Sequence, residues 1–130
     1  MTSSQNFEIR GQCLCGAVRF SGRAGGPEVT ACHCGQCRRW SGHVWASFHL
    51  DAPVIDGQSL RWYQSSPEAE RGFCSVCGTS LFWRPNGRET LSVSPGAIDN
   101  PTGLRMDEHI YVADKGDYYR IADGLPQKDQ

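Results

Sequence analysis

Short runs of alternating apolar and polar residues dominate the chain, each too brief for a helix. Ala17–Phe20 alternates, and Val44, Ala46, Phe48 and Leu50 line one face of a run whose other face carries Trp45, Ser47 and His49. Leu60–Tyr63, Ser80–Trp83, Thr90–Val93 and His109–Val112 read as further strands. Turn residues punctuate them: Gly25-Gly26-Pro27, Asp56-Gly57, Ser66-Pro67, Pro85-Asn86-Gly87 and Asn100-Pro101. A single short stretch, around Gly35–Trp40, has helical character. The pattern predicts a mainly β fold of small antiparallel sheets joined by loops. No repeat or low-complexity linker divides the chain. One domain over 1–130 is expected, with a core of about 7–123 and tails at 1–5 and 124–130.

Composition sharpens this picture. Of the 130 residues 38% are hydrophobic, while Gly 15 and Pro 7 supply many turns. The core is therefore thin for its size. Thirteen basic residues against fourteen acidic ones, net −1, show no bias toward nucleic acid or an anionic membrane. No apolar run approaches the roughly 20 residues of a membrane span. The N-terminus lacks a basic stretch followed by an apolar one, so a cytoplasmic setting is expected. Four Trp, four Tyr and five Phe need a core to occupy, which argues against a disordered chain.

Seven cysteines change the reading more than any other feature. An odd number without an export signal argues against a disulfide framework. They fall in three clusters: Cys13-Leu14-Cys15, Cys32-His33-Cys34-Gly35-Gln36-Cys37 and Cys74-Ser75-Val76-Cys77. In an extended segment C-x-C puts both thiols on one side. C-x-x-C closes a turn that aims two sulfurs at one point. Tetrahedral zinc, with Zn–S of about 2.3 Å, needs sulfurs about 3.8 Å apart. Gly78 and Gly16, each just after a cysteine, suit positions that require positive φ. The natural partition is four plus three. Cys13, Cys15, Cys74 and Cys77 would close a structural site, and Cys32, Cys34 and Cys37 would leave a fourth position open, as in catalytic zinc. Two alternatives stay open: Cys74 and Cys77 joining the middle cluster, or His33 completing it as fourth ligand. In each case zinc supplies folding free energy that the thin core lacks.

The ordered clusters and their flanks resemble a known family. The matching stretches are Gly11-Gln12-Cys13-Leu14-Cys15-Gly16-Ala17-Val18, Cys32-His33-Cys34-Gly35-Gln36-Cys37-Arg38 and Phe73-Cys74-Ser75-Val76-Cys77-Gly78-Thr79-Ser80-Leu81. Gly96-Ala97-Ile98-Asp99-Asn100-Pro101, Glu108-His109-Ile110-Tyr111 and Asp123-Gly124-Leu125-Pro126 complete the set. Together they are similar to the glutathione-dependent formaldehyde-activating enzyme (GFA, or centromere-protein-V) domain family. The resemblance implies a compact β fold with two zincs per chain. It places a structural zinc at Cys13, Cys15, Cys74 and Cys77 and a catalytic zinc at Cys32, Cys34 and Cys37. It also implies a carbon–sulfur lyase that condenses glutathione with formaldehyde to S-hydroxymethylglutathione. Small thiol and aldehyde substrates, glutathione among them, are then the expected partners.

A thiol bound at an open zinc position is held as thiolate. Three thiolates around Zn²⁺ leave one net negative charge and weaken its Lewis acidity, so positioning of sulfur is the expected role rather than water activation. No catalytic residue beyond that open site is assigned. Between the ligands, His33 points away from the metal if Cys32 and Cys34 share a face. His43 and His49 read as exposed polar-face residues, and His109 as bonded to neighbouring backbone. Arg38 and Arg39 either steer an anionic thiol or are simply solvated. Trp40 and Trp45 read as core, and Asp99 as organising the turn before Asn100-Pro101. A second functional class fits the same cysteines: a non-enzymatic, zinc-stabilised binding or redox-sensing module.

Overall fold

In the computed structural model, which describes residues 7–130, nine strands and one helix follow along the chain. They are β1 (Phe7–Gln12), β2 (Arg19–Ala24), β3 (Glu28–Cys32), α1 (Gly35–Ser41), β4 (Trp45–Asp56), β5 (Leu60–Gln64), β6 (Ala69–Cys74), β7 (Ser80–Pro85), β8 (Leu91–Val93) and β9 (Arg105–Ile110). The tail expected at 1–5 lies outside the described residues. The fold is mainly β, as expected. Among the described residues no helix is long and apolar enough to cross a membrane.

Twelve-residue β4 joins the strands into one sheet. Its far end, Leu50–Asp56, pairs antiparallel with β2, and Phe48–Leu50 pairs with β8. Its first residues, Trp45–Ser47, pair instead with β3. The main path runs β1-β2-β4-β8-β7-β6-β5, with β3 and β9 branching from β4. β3 and β9 are parallel, bringing Cys32 opposite Ile110. Parallel neighbours need a long crossover. Here it spans everything between Cys32 and Arg105.

Alternation along β2, β4 and β7 sends Phe20, Phe48, Leu50 and Phe82 into one apolar core. Phe20 and Phe82 meet edge to face, 5.1 Å between ring centroids at 77°. Burial of Phe82 at 0% exposure contributes about 2–3 kcal/mol. Cys13 and Cys74 belong to this core as well. One cysteine cluster is thereby built onto its edge.

Several elements differ from the periodicity reading. β2 starts at Arg19 rather than Ala17, because the Cys13 N–H donates to the Val18 carbonyl (3.0 Å) and closes a turn first. β9 ends at Ile110, where Tyr111 takes φ 55 and Val112–Asp114 forms a 3-10 turn. The apolar alternation does not mark β1, β3 or β6. β6 reads AERGFC, and its inward positions include Arg71 and Gly72, so no apolar alternation marks it. The segment read as a C-terminal tail lies along β9. His109 donates to the Pro126 carbonyl and Lys128 to the His109 carbonyl, both at 2.9 Å.

Candidate metal centres and the residues around them

β1 and β6 run out at the same end of the core and deliver one cysteine pair each. Cys13 and Cys15 sit on a turn where Gly16 donates to the Cys13 carbonyl (3.1 Å) with φ 83. Cys74 ends β6, and Gly78, at φ 82, donates to the Cys74 carbonyl (2.8 Å). Both glycines take the positive φ expected of them. The Sγ atoms of Cys13 and Cys15 lie 3.7 Å apart, those of Cys15 and Cys74 3.8 Å. Tetrahedral Zn–S geometry requires edges of about that length. All four sulfurs fall within 4.8 Å of one another. Backbone N–H groups of Val18, Val76 and Cys77 point at them, at 3.3, 3.4 and 3.5 Å. The Ser59 hydroxyl lies 3.3 Å from Cys74 Sγ and lowers that thiol's pKa. Thr79, 3.1 Å from Cys77 Sγ, pulls that thiol down to about 5. Donors of this kind favour thiolate, the form that ligates metal. Thr79 Oγ1 also accepts from Leu14 N (3.0 Å) and so ties the two turns together.

The second cluster forms where β3 meets α1. Cys32 ends β3, Cys34 caps α1 by accepting from Cys37 N (3.3 Å), and Cys37 is buried on the helix. Their sulfurs also lie within 4.8 Å of one another, with no fourth His, Cys, Asp or Glu in the group among the described residues. S–H donation from Cys32 and Cys37 lowers the Cys34 thiol, and the same contacts raise Cys32.

His33 is buried and turned away from the sulfurs, with both ring nitrogens engaged. Nδ1 lies 2.6 Å from the Tyr119 hydroxyl and Nε2 lies 2.8 Å from His109 Nδ1. His109 Nε2 in turn lies 2.7 Å from Asp123 Oδ2. An ionised carboxylate only accepts, so His109 Nε2 donates to it. A neutral His109 then accepts at Nδ1 from His33 Nε2–H, and His33 Nδ1 accepts from the Tyr119 O–H. Burial, with the positive charge of Lys115 nearby, keeps His33 below its ordinary pKa, which agrees with a neutral ring. The expectation that His109 is bonded to neighbouring backbone is corrected here: its side chain joins His33 to Asp123.

The remaining candidates scatter. His43 is exposed, with Nδ1 2.5 Å from the Tyr118 hydroxyl, and His49 is exposed on β4. Arg39 and Asp99 are exposed, and Arg38 is half-buried. Trp45 is buried yet lies outside the main core cluster, packing edge on to Trp40 at 5.2 Å. Trp45 is thus buried as expected, opposite Cys32 across the β3–β4 pairing, while Trp40 is half-buried on α1.

The profile of the glutathione-dependent formaldehyde-activating enzyme family matches residues 8–114. The chain belongs to this family. It is 30% identical over 118 residues to an uncharacterized lyase of Schizosaccharomyces pombe, covering 88% of this chain and 86% of that one. It is 29% identical over 126 residues to a provisionally named glutathione-dependent formaldehyde-activating enzyme of Halomonas elongata, covering 87% and 80%. The fold is shared with a crystal structure of a Rhodobacter sphaeroides protein at TM-score 0.59 and 24% identity, over 91% of this chain and 98% of that one.

In this family member, sequence reading passes over two residues that the structure sets beside the second cluster. Tyr119 carries no local pattern and reaches His33 across 86 positions. Arg71 lies three residues before Cys74, the one cue available, on a strand whose polar residues hide it.

Proposed function

We propose that the chain is a zinc-dependent carbon–sulfur lyase acting on a glutathione-like thiol and an aldehyde adduct such as S-hydroxymethylglutathione. In this reading residues 1–130 act as one domain in the cytoplasm. Cys13, Cys15, Cys74 and Cys77 hold a structural zinc, and Cys32, Cys34 and Cys37 a catalytic one. The observation that carries the proposal is the second cluster. Three sulfurs converge with no fourth donor among the described residues, while the adjacent His33 has both nitrogens occupied. Three protein ligands with one position open is the donor set of catalytic zinc, and four thiolates that of structural zinc. Family membership and the relatives' names support lyase-type chemistry.

Zinc held by Cys32, Cys34 and Cys37 would supply a position at which a substrate thiol is kept as thiolate. In the direction of synthesis that sulfur would bond to the carbonyl carbon while the π electrons pass to oxygen, which would take up the proton the thiol released. In the lyase direction the same carbon–sulfur bond would break and the proton would return to sulfur. Cys34, fixed as the helix cap, and Cys32, fixed in β3, converge because the His33 ring between them is anchored at both nitrogens. Partners that orient metal ligands from behind matter nearly as much as the ligands.

The test measures metal content and thiol-dependent consumption of small aldehydes above the uncatalysed rate. Two zincs per chain and consumption in wild type are expected. Cys34→Ala should retain one zinc and fall to the background rate. Fully loaded protein that consumes no aldehyde with any thiol sinks the lyase reading, and one zinc per chain would leave the non-enzymatic module.

A further inference from the structure

Arg71 carries a permanent charge into the interior without a carboxylate to meet it. The residue is 4% exposed on β6. Nε and Nη2 both donate to Gln36 Oε1, at 3.0 and 2.8 Å. Nη1 is buried and makes no hydrogen bond to the protein. The guanidinium carbon lies 4.9 Å from the Trp40 ring centroid and 5.8 Å from that of Trp45. Among the described residues no Asp or Glu forms an ion pair with it, and the neighbouring Glu70 pairs with Arg84 instead, at 2.8 Å. An amide and two aromatic faces leave a full charge uncompensated, and an unpaired buried charge is costly. One contact can answer it: Nη2 lies 3.6 Å from Cys37 Sγ.

We infer that Arg71 is the counter-charge of the Cys32, Cys34 and Cys37 site and thereby tunes it for an anionic fourth ligand. The inference rests on the reading that these cysteines hold a divalent metal. Three thiolates around such a metal leave one net negative charge, and the guanidinium beside Cys37 cancels it. A substrate thiolate would add a further negative charge. With Arg71 in place that addition takes the assembly from neutral to singly negative, rather than from singly to doubly negative. Arg71 and Cys37 are each 4% exposed, so the charge is weakly screened. Arg71 touches neither substrate nor reacting atoms in this scheme and acts as a positioning residue through Cys37.

The experiment uses the zinc-loaded protein and two variants, Arg71→Met and Arg71→Lys. Methionine keeps an unbranched apolar stem between the tryptophans, and the exposed Gln36 can turn its amide to water. Lysine keeps the charge and loses the fork. Release of each zinc is followed against a chromophoric chelator. Wild type should bind two zincs; finding one would remove the underlying reading itself, before either variant is compared. Given two, Arg71→Met should release one zinc at a chelator concentration at least tenfold lower, the other unchanged, while Arg71→Lys stays within threefold of wild type. Release of both zincs in parallel, at wild-type or lower chelator concentration, overturns the inference. So does release from Arg71→Lys as easy as from Arg71→Met. If Arg71→Met yields no folded protein, Arg71→Lys decides: retention supports the charge role, and selective loss refutes it. A second readout uses the cobalt-substituted protein, titrated with mercaptoethanesulfonate and with imidazole through its visible bands. Arg71→Met should weaken the anionic thiol about tenfold and leave imidazole unchanged. Equal weakening of both ligands overturns the inference.

Discussion

Asp123 stands at the solvent end of a line of hydrogen bonds that passes through His109 and His33 to Tyr119. The bond from His109 holds its carboxyl below the ordinary 3.8. A depressed carboxylate stabilises the fold above its unfolded pKa, and that contribution is lost as pH falls through the folded one. Asp123→Asn should therefore lower the melting midpoint at neutral pH. The gap to wild type should narrow under acid conditions, as the wild-type carboxylate protonates. Heteronuclear NMR of the His109 ring gives a second check, with the Nε2 proton less populated in the variant. A midpoint difference that stays constant with pH would mean that Asp123 acts by shape alone. At this scale sequence reading named His33 and His109 as candidates, yet it paired neither correctly. Their contact spans 76 positions and leaves no local pattern.

At the scale of elements, β4 and β9 decide where the second cysteine cluster sits. β4 lends its first three residues to β3 and the rest to the main sheet. Cys32 is thereby held between Trp45 and Ile110. β9 is covered on its outer side by the last residues of the chain. Pro126 and Lys128 exchange backbone hydrogen bonds with His109, and Lys128 and Asp129 accept from Val112 and Ala113. Covering an edge strand in this way shields its free backbone groups. Truncation after Gly124 removes these four bonds and should thus cost about 2–6 kcal/mol in denaturant unfolding, since a backbone hydrogen bond is worth roughly 0.5–1.5 kcal/mol net. Truncated protein as stable as the full chain would refute a role for the pairing. Composition hides this role, because Pro126-Gln127-Lys128-Asp129-Gln130 has no apolar alternation and pairs through backbone alone.

For the whole molecule, the four-cysteine cluster is a clasp between chain segments about sixty residues apart, with Cys13 and Cys74 inside the main core. A zinc held there, as proposed, would be a link that the thin core does not replace. Chelation should lower the melting midpoint by roughly 10 °C or more, as a loss of about 3 kcal/mol does in a chain of this size. Re-addition of zinc should restore it. The cluster where β3 meets α1 lies within six residues of chain and forms no such clasp, so Cys34→Ala should move the midpoint far less than Cys74→Ala. Equal losses from the two would contradict the division into a clasp and an open site.

The sequence by itself determined the secondary-structure class and the three local clusters of cysteines, while the structure brought the outer two together. The class and the clusters rest on local physics: side-chain alternation along strands, and spacings that bring sulfurs together within one turn. It also marked Gly16 and Gly78 as sites of positive φ, because a turn closed on cysteine leaves no room for other conformations. Only the tertiary structure decided that β3 lies parallel to β9, that His33 meets His109, and that Arg71 comes to rest against Cys37. Each of these joins residues that are far apart in the chain. Such contacts follow from how strands pair in the whole sheet, and no short window of sequence records that pairing.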